Sequence, residues 1–430
     1  NISASNIEIS EMVLTNDSIE ANPEISDLLL SIEQTKANNK YFSYLSPEYS
    51  PAISEGIDAT KLPINALKYL TNLQNKVYSV TEFDSYSSCS IKYLYERILK
   101  LKIDDELELS LSPLELGNLI HRILYLFYKE QRTIQYNQSV LLKSNNPDPQ
   151  QAQAKDIFLV ELDNAHRSAY LESLICIAKT EIDQIKYSHP LFNLDLEAII
   201  GDGIRKGLLE IWLDEELNKR TNKVAWNFQP ALFEIEFGEQ HKANSRKYIQ
   251  FENGLKVSGK IDRLEFYKSM NNIQFMVADY KSNAVTYAKN KQIQNFEMFQ
   301  IPIYLKAAQK YIETHYNIPS DMRIEPSGGV YYSYKNSRKA KDNKSNYAKL
   351  VLIPEGNHLQ DRWNSLSADS MSDFLEQASH AAYTITKRIA DGSFELTDDK
   401  AACRYCKYGT ICRIKDYKPN LQSSEVSEEE

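Results

Sequence analysis

The chain has 430 residues, of which 42% are hydrophobic and 25% charged, with five cysteines and a formal charge of −9. This composition excludes collagen-like, low-complexity and wholly disordered classes and fits a globular protein of two or three packed units. Even the apolar run "ILYLFY" at 123–128 is too short to span a membrane, and no basic-then-apolar leader opens the chain. A cytoplasmic location with no membrane partner is therefore expected, where cysteines serve as free thiols or metal ligands rather than disulfides.

Residues 1–77 read as a polar lead-in or the edge of a missing domain, and a first residue of Asn rather than Met suggests a piece of a longer polypeptide. Residues 1–60 hold ten acids and two bases, and 421–430 hold four acids and no base, which leaves 45 acids against 48 bases in 61–420. The acidity sits in the ends, including the tail 417–430, and the mildly basic body has the charge of a mixed solvated surface. From about residue 80 the text turns helical, with Ile91, Tyr93, Leu94, Ile98 and Leu99 around Cys89. "SPLELGNLIHRILYLFYKE", 112–130, opens with a capping box from Ser112 to Glu115 and Pro113 in the first turn, then continues as an amphipathic helix carrying His121. Two or three more helices fill an expected insert at about 150–225.

The period then changes to two. "ALFEIEFG" (231–238) alternates as a strand, "KYIQFENGLKVSGKIDRLEFY" (247–267) reads as a hairpin turning at Asn253-Gly254, and "IQFMVADYKS" (273–282) follows as a third strand. A helix at about 291–315, strands near 329–334 and 348–353 and a helix near 371–390 complete an α/β core with helical additions at both ends. Gly254 to Lys260 spells G-x-x-x-x-G-K, but Ile261 stands where a phosphate-binding loop needs Ser or Thr, and the stretch lies on a hairpin; it is no nucleotide site.

Asp262 on the hairpin and Asp279 on the next strand can present carboxylates to one hard cation. Lys281, two residues after Asp279, points to the same strand face, where its ammonium can steady an attacking hydroxide or a charged phosphate. A lone D-x-K is ordinarily a surface ion pair, and His121, unaided, an ordinary core histidine. Near the C-terminal end, Cys403, Cys406 and Cys412 form C-x2-C-x5-C at 401–416. A closed four-ligand site needs one more thiol, and Cys89 and Cys176 remain. Four thiolates suit either a [4Fe–4S] cluster or zinc.

Taken together, Gly117 with His121, Ile261-Asp262-Arg263, Asp279-Tyr280-Lys281 and Gln300 with Tyr304 resemble the RecB-like branch of the PD-(D/E)XK nucleases. With Cys89 before these motifs and three cysteines after them, residues 78–416 look most like the iron–sulfur nuclease domain at the C-terminus of AddB-type helicase–nuclease subunits. The resemblance implies a restriction-endonuclease-like core over 78–400, a mixed central sheet flanked by helices, with a C-terminal Fe–S region at 401–416 closing onto Cys89. It implies Mg2+ or Mn2+ held by His121, Asp262, Asp279 and the backbone carbonyl of Tyr280, catalysis assisted by Lys281, and a DNA path lined by Gln300 and Tyr304. It also implies a [4Fe–4S] cluster on Cys89, Cys403, Cys406 and Cys412, with structural Zn2+ as the alternative, which leaves Cys176 in "LESLICIAK" as a buried packing residue. The expected activity is a metal-dependent DNA exonuclease acting on single strands or ends in double-strand break repair, fed by a helicase subunit or a missing N-terminal helicase-like region. Rival expectations are a catalytically silent DNA-binding scaffold of the same fold and a stand-alone nuclease of the CRISPR-adaptation or restriction type. One departure stands out: relatives often carry a glutamate four residues after the histidine, and here that position is Tyr125.

Overall fold

The computed structural model describes residues 64–101, 111–143, 157–184, 192–218, 227–238, 247–268, 272–282, 290–334, 348–354, 365–366, 368–397, 399–404 and 406–412. The sequence expectations for 1–63 and 413–430 lie outside these residues. After α1 (Ile64–Leu73) and the short β1 (Tyr78–Ser79) come α2 (Val80–Ser88) and α3 (Ser90–Tyr93), separated by Cys89 in an extended conformation. The long α4 (Pro113–Lys143) starts at the expected capping box, where Ser112 and Glu115 exchange hydrogen bonds through side chain and backbone. The stretch expected as an insert carries α5 (Arg167–Gln184), α6 (Phe192–Ile200) and α7 (Leu208–Asn218).

The strands β2 (Gln229–Phe237), β4 (Lys256–Lys268), β5 (Asn272–Lys281), β6 (Arg323–Ser333) and β7 (Ala348–Val351) lie side by side in that order. Neighbours are antiparallel except β5 and β6, which run parallel, so the sheet is mixed. β1 and the two-residue β3 (Ile249–Gln250) pair with the start of β4. The turn at Asn253-Gly254 is present, with Gly254 at φ 88° and the Asn253 side chain accepting from Leu255 N–H.

Strand periodicity assigns the two faces. Ile273, Phe275 and Val277 of β5 enter a core shared with Ile301, Ile303 and Leu305 of α9 (Gln300–His315). Met276, Ala278 and Tyr280 enter a second core with Ile120, Ile123, Leu124 and Phe127 of α4. Side chains alternate along a strand, so Asp279 and Lys281 inherit the α9 side while Tyr280 points toward α4. The two cores hold the sheet between helices as the hydrophobic pattern requires.

Two expectations are corrected. Residues 291–315 are not one helix: α8 (Asn290–Gln294) ends, Phe296 takes φ 57°, and α9 begins at Gln300. Pro302 explains the restart, because proline lacks the N–H that a helix interior needs but fits in a first turn. Cys176 is exposed rather than buried. The buried side chains of α5 are Tyr170, Leu174, Ala178 and Ile182, four residues apart, and Cys176 lies off that stripe.

Two short strands, β8 (Ile353–Pro354) and β9 (Ser365–Leu366), precede α10 (Ala368–Ala390). The chain after α10 returns to α2. Tyr86 donates to the carbonyl of Ser393 at 2.5 Å, Ser90 Oγ to that of Glu395 at 2.9 Å, and Thr397 Oγ1 to that of Ser88 at 3.0 Å. These bonds bring α11 (Lys400–Arg404) and α12 (Gly409–Cys412) to the region of Cys89. Among the described residues no helix is long and apolar enough to cross a membrane.

Candidate active site

The site forms where β4 and β5 part. Their main-chain pairing stops at Arg263 and Ala278, and beyond it the N–H of Tyr280 donates to Asp262 Oδ2 at 3.0 Å. A side-chain carboxylate thus replaces the next rung of the ladder, which fixes Asp262 and satisfies a buried donor. The other oxygen, Oδ1, lies 3.4 Å from His121 Nδ1, while His121 Nε2 is 3.1 Å from the carbonyl of Tyr280. The histidine comes from α4, and Gly117 one turn earlier lets that helix approach the sheet: a Cβ there would lie 3.3 Å from the Tyr334 hydroxyl.

Burial opposes the imidazolium of His121, but its hydrogen bond to Asp262 and the charges of Asp262, Asp279 and Glu234 outweigh this and hold its pKa above the usual value. Burial likewise opposes the Asp262 carboxylate, yet His121, the Tyr280 N–H and Lys281 bring it below the ordinary range.

Asp279 occupies a drier position, 4% exposed, where burial pushes its carboxyl up to about 6 against the pull of Lys281. Its Oδ1 accepts from Gln300 Nε2 at 2.7 Å, and its Oδ2 is 2.6 Å from Lys281 Nζ. Lys281 also donates to Gln300 Oε1 at 3.2 Å, so one amide clamps the aspartate and the lysine together. Gln300 and Tyr304, expected along a DNA path, are 5% and 6% exposed. They form a wall under the site rather than an open surface. Tyr304 packs against Phe237, and Gly259 makes room for both rings, since a Cβ there would lie 2.7 Å from Phe237 and 2.9 Å from Tyr304.

Sequence reading missed Glu234. It lies on β2 at φ 49°, a conformation L-residues seldom adopt, and pairs with Lys260. Among the described residues, one set of three metal-type donors converges within 4.8 Å: His121, Glu234 and Asp262. Burial raises the Glu234 pKa, with Lys260 opposing and Asp262 adding to it. The only signal in the sequence was its place in "FEIEF", an acid inside an apolar strand. The absent carboxylate at Tyr125 is thus matched by one from another element.

An imidazole and three carboxylates crowded together are a suitable donor set for a hard divalent cation. Asp279 Oδ2, buried and without a hydrogen bond apart from its ion pair, has capacity left for one.

Arg263, the third residue of the I-D-R motif, points away from the core that Leu264 enters and is fully buried. Its guanidinium reaches Glu216 of α7 at 2.8 Å and Glu265 at 2.5 Å, and donates to the hydroxyls of Tyr128 at 2.9 Å and Tyr280 at 3.1 Å. Tyr128 donates to Glu216 and Tyr332 to Glu265, each at 2.8 Å. This network ties α4, α7, β4, β5 and β6 together beneath the residue whose carbonyl faces His121.

Cys89 and Cys412 are buried, and Cys403 and Cys406 are partly buried against the same core. None is in a disulfide. Cys89 Sγ accepts from Lys92 N–H at 3.4 Å; burial raises its thiol pKa, and Cys406 is close enough to raise it further. Tyr408, between the second and third of the trio, packs on Tyr95 and donates to the Leu101 carbonyl at 3.0 Å, fastening this segment to the N-terminal helices.

A mixed sheet whose parting strands offer an aspartate and a D-x-K lysine, faced by a helix-borne histidine, has the layout of a PD-(D/E)XK fold. The chain belongs to the PD-(D/E)XK nuclease superfamily, whose family model matches residues 77–413. It is similar to an ATP-dependent helicase/deoxyribonuclease subunit of Clostridioides difficile (strain 630), at 23% identity across 94% of this chain and 36% of that protein. The proteins of the same name from Carboxydothermus hydrogenoformans and Lachnoclostridium phytofermentans are 20% and 22% identical, over 83% and 59% of this chain and 33% and 18% of theirs. The chain spans about a third or less of the length of these curated relatives.

Proposed function

We propose that this chain is a magnesium- or manganese-dependent DNA exonuclease that cleaves single strands or ends, delivered by a helicase subunit or a helicase-like region of the same polypeptide, in the processing of double-strand breaks. The observation that carries this reading is the set His121, Asp262, Asp279 and Lys281, gathered around the end of β5 with the lysine 2.6 Å from Asp279. The names of the relatives supply helicase and deoxyribonuclease as the context.

His121, Asp262, Asp279 and the Tyr280 carbonyl would hold the cation, with Glu234 as the extra carboxylate. Bound there, it would supply Lewis acidity toward the phosphate and a water more acidic than bulk. Lys281 holds its ammonium beside Asp279, where it orients the attacking oxygen and offsets charge growing on the phosphate oxygens. Gln300 bonds both groups and so fixes their relative position, and Tyr304 closes the floor. An intact carboxylate–lysine pair supports an enzyme over a silent scaffold of the same fold.

Cys89, Cys403, Cys406 and Cys412 are the proposed ligands of a [4Fe–4S] cluster, with structural zinc as the alternative that four thiolates also suit. The support for a shared site is that all four side against one core, with Cys406 near enough to Cys89 to act on its ionisation. Such a centre joins chain segments on either side of the nuclease motifs and restrains the long loop between them.

The test is cleavage of end-labelled single- and double-stranded DNA with magnesium, manganese or EDTA. Asp279→Ala and Lys281→Ala should each abolish cation-dependent cleavage with the fold intact. Full activity in either variant refutes the assignment, and tight, salt-resistant duplex binding without cleavage favours the scaffold.

A further inference from the structure

Asp84 on α2 is far in sequence from every motif above, yet its Oδ1 accepts the N–H of Phe299 at 2.5 Å. Phe299 is the N-cap of α9 and has no side-chain oxygen, so the helix carries no cap of its own. A helix start leaves several N–H groups unsatisfied and carries partial positive charge, both of which an external carboxylate answers. The backbone N–H of Gln300 is held by the same aspartate. Gln300 is the first residue of α9, and its amide bonds Asp279 at 2.7 Å and Lys281 at 3.2 Å. The contacts therefore run without a gap from Asp84, through the backbone at 299–300, to the two side chains at the end of β5.

The helix bearing Asp84 is itself firmly seated. Phe83 packs on Tyr78 and on Phe299, and Tyr86 is bonded to Ser393. We propose that Asp84 is a positioning residue of the nuclease site: by capping α9 from α2 it fixes the amide of Gln300, which sets how Asp279 and Lys281 face each other. This rests on the reading of Asp279 and Lys281 as the reaction centre. It also gives α2, whose C-terminal end is Cys89, a direct contact with the catalytic wall.

The experiment is a double-mutant cycle on the full chain with Asp84→Ala, Gln300→Ala and the double variant, alongside Asp84→Asn, which keeps an acceptor in the same place. Two quantities are measured: kcat on a single-stranded oligonucleotide at saturating Mn2+, and the Kd for Mn2+ by calorimetry without DNA. Each single substitution should lower kcat about 10–100-fold and weaken Mn2+ about 3–10-fold, and the double variant should be no worse than the poorer single, because residues acting through one another are non-additive. Asp84→Asn should recover to within about fivefold of wild type, and it keeps the test open if Asp84→Ala fails to fold. Unchanged kcat and Mn2+ affinity in both Asp84 variants, or losses that multiply in the double variant as independent structural damage would, overturn the proposal. A wild type that does not cleave DNA, but shows the coupling in Mn2+ affinity, overturns the nuclease reading and leaves the positioning role standing.

Discussion

Asp279→Asn is expected to make the metal-free protein more stable at pH 7.5 while destroying its activity. Burial holds the Asp279 carboxyl at about 6, against an ordinary value of 3.8. With the folded-state value above the unfolded one, this group contributes stability that is fully present below pH 3.8 and is lost as pH rises through 6. The gap corresponds to roughly 3 kcal/mol of ionisation cost at neutral pH, since each tenfold change in proton affinity is about 1.4 kcal/mol. Asparagine keeps the shape and the acceptor for Gln300 but need not ionise. It deprives Lys281 of its nearest partner, a loss moderated by the remaining bond to Gln300. The net gain at pH 7.5 is therefore about 1–2 kcal/mol, shrinking toward zero near pH 4.5. Urea titrations of both proteins in EDTA at several pH values measure it. Because Asp84, also raised to about 6, is common to both, its titration largely cancels in the difference. Added Mg2+ should reverse the order by stabilising only the wild type. A difference independent of pH, or a variant less stable than wild type at pH 7.5 without metal, would refute the burial argument.

Glu234→Gln should weaken Mn2+ binding about 10–100-fold in calorimetry while leaving the fold intact, the effect expected for a carboxylate at the edge of a metal site. Arg263→Ala strands Glu216 and Glu265 in the core and should cost at least about 3 kcal/mol in urea denaturation, as removal of one partner of a buried ion pair does. Gly259→Ala forces Phe237 or Tyr304 to move and should cost about 1–3 kcal/mol, with a shift in tyrosine fluorescence reporting the repacking. Cys89→Ala should lose iron and visible absorption in anaerobically purified protein, whereas the exposed Cys176→Ala should retain both.

Much of the fold was legible because its signals are local. Ser112 and Glu115 announced α4, Asn253-Gly254 announced a turn, and alternation along "IQFMVADYKS" gave both the strand and the shared face of Asp279 and Lys281. The failures came where tertiary contacts decide. The break before α9 has its cause partly in Asp84, 215 residues away, which supplies the cap that Phe299 lacks. Cys176 was judged by apolar neighbours in sequence, but on a helix adjacent residues point in different directions, and burial follows the Tyr170–Leu174–Ala178–Ile182 stripe.

Glu234 marks the limit of pattern reading more sharply. A glutamate at Tyr125 would have stood one turn from His121 on α4, visible as an i,i+4 pair. Glu234 instead comes from β2, across the sheet from the helix, and enters the site only because its backbone takes a left-handed turn within the strand. Neither that φ nor the proximity of β2 to α4 is written in the spacing of the motifs. What the sequence does contain is a charged residue in an otherwise apolar strand, and such a residue must find a partner or a purpose when the strand is buried. Lys260 gives it a partner, and His121 and Asp262 on its other side give it the chemistry of a metal ligand. A metal site can therefore keep its charge while moving a carboxylate from helix to strand, provided that the two elements pack as α4 and β2 do around Tyr128 and Phe233, whose rings stack at 4.6 Å.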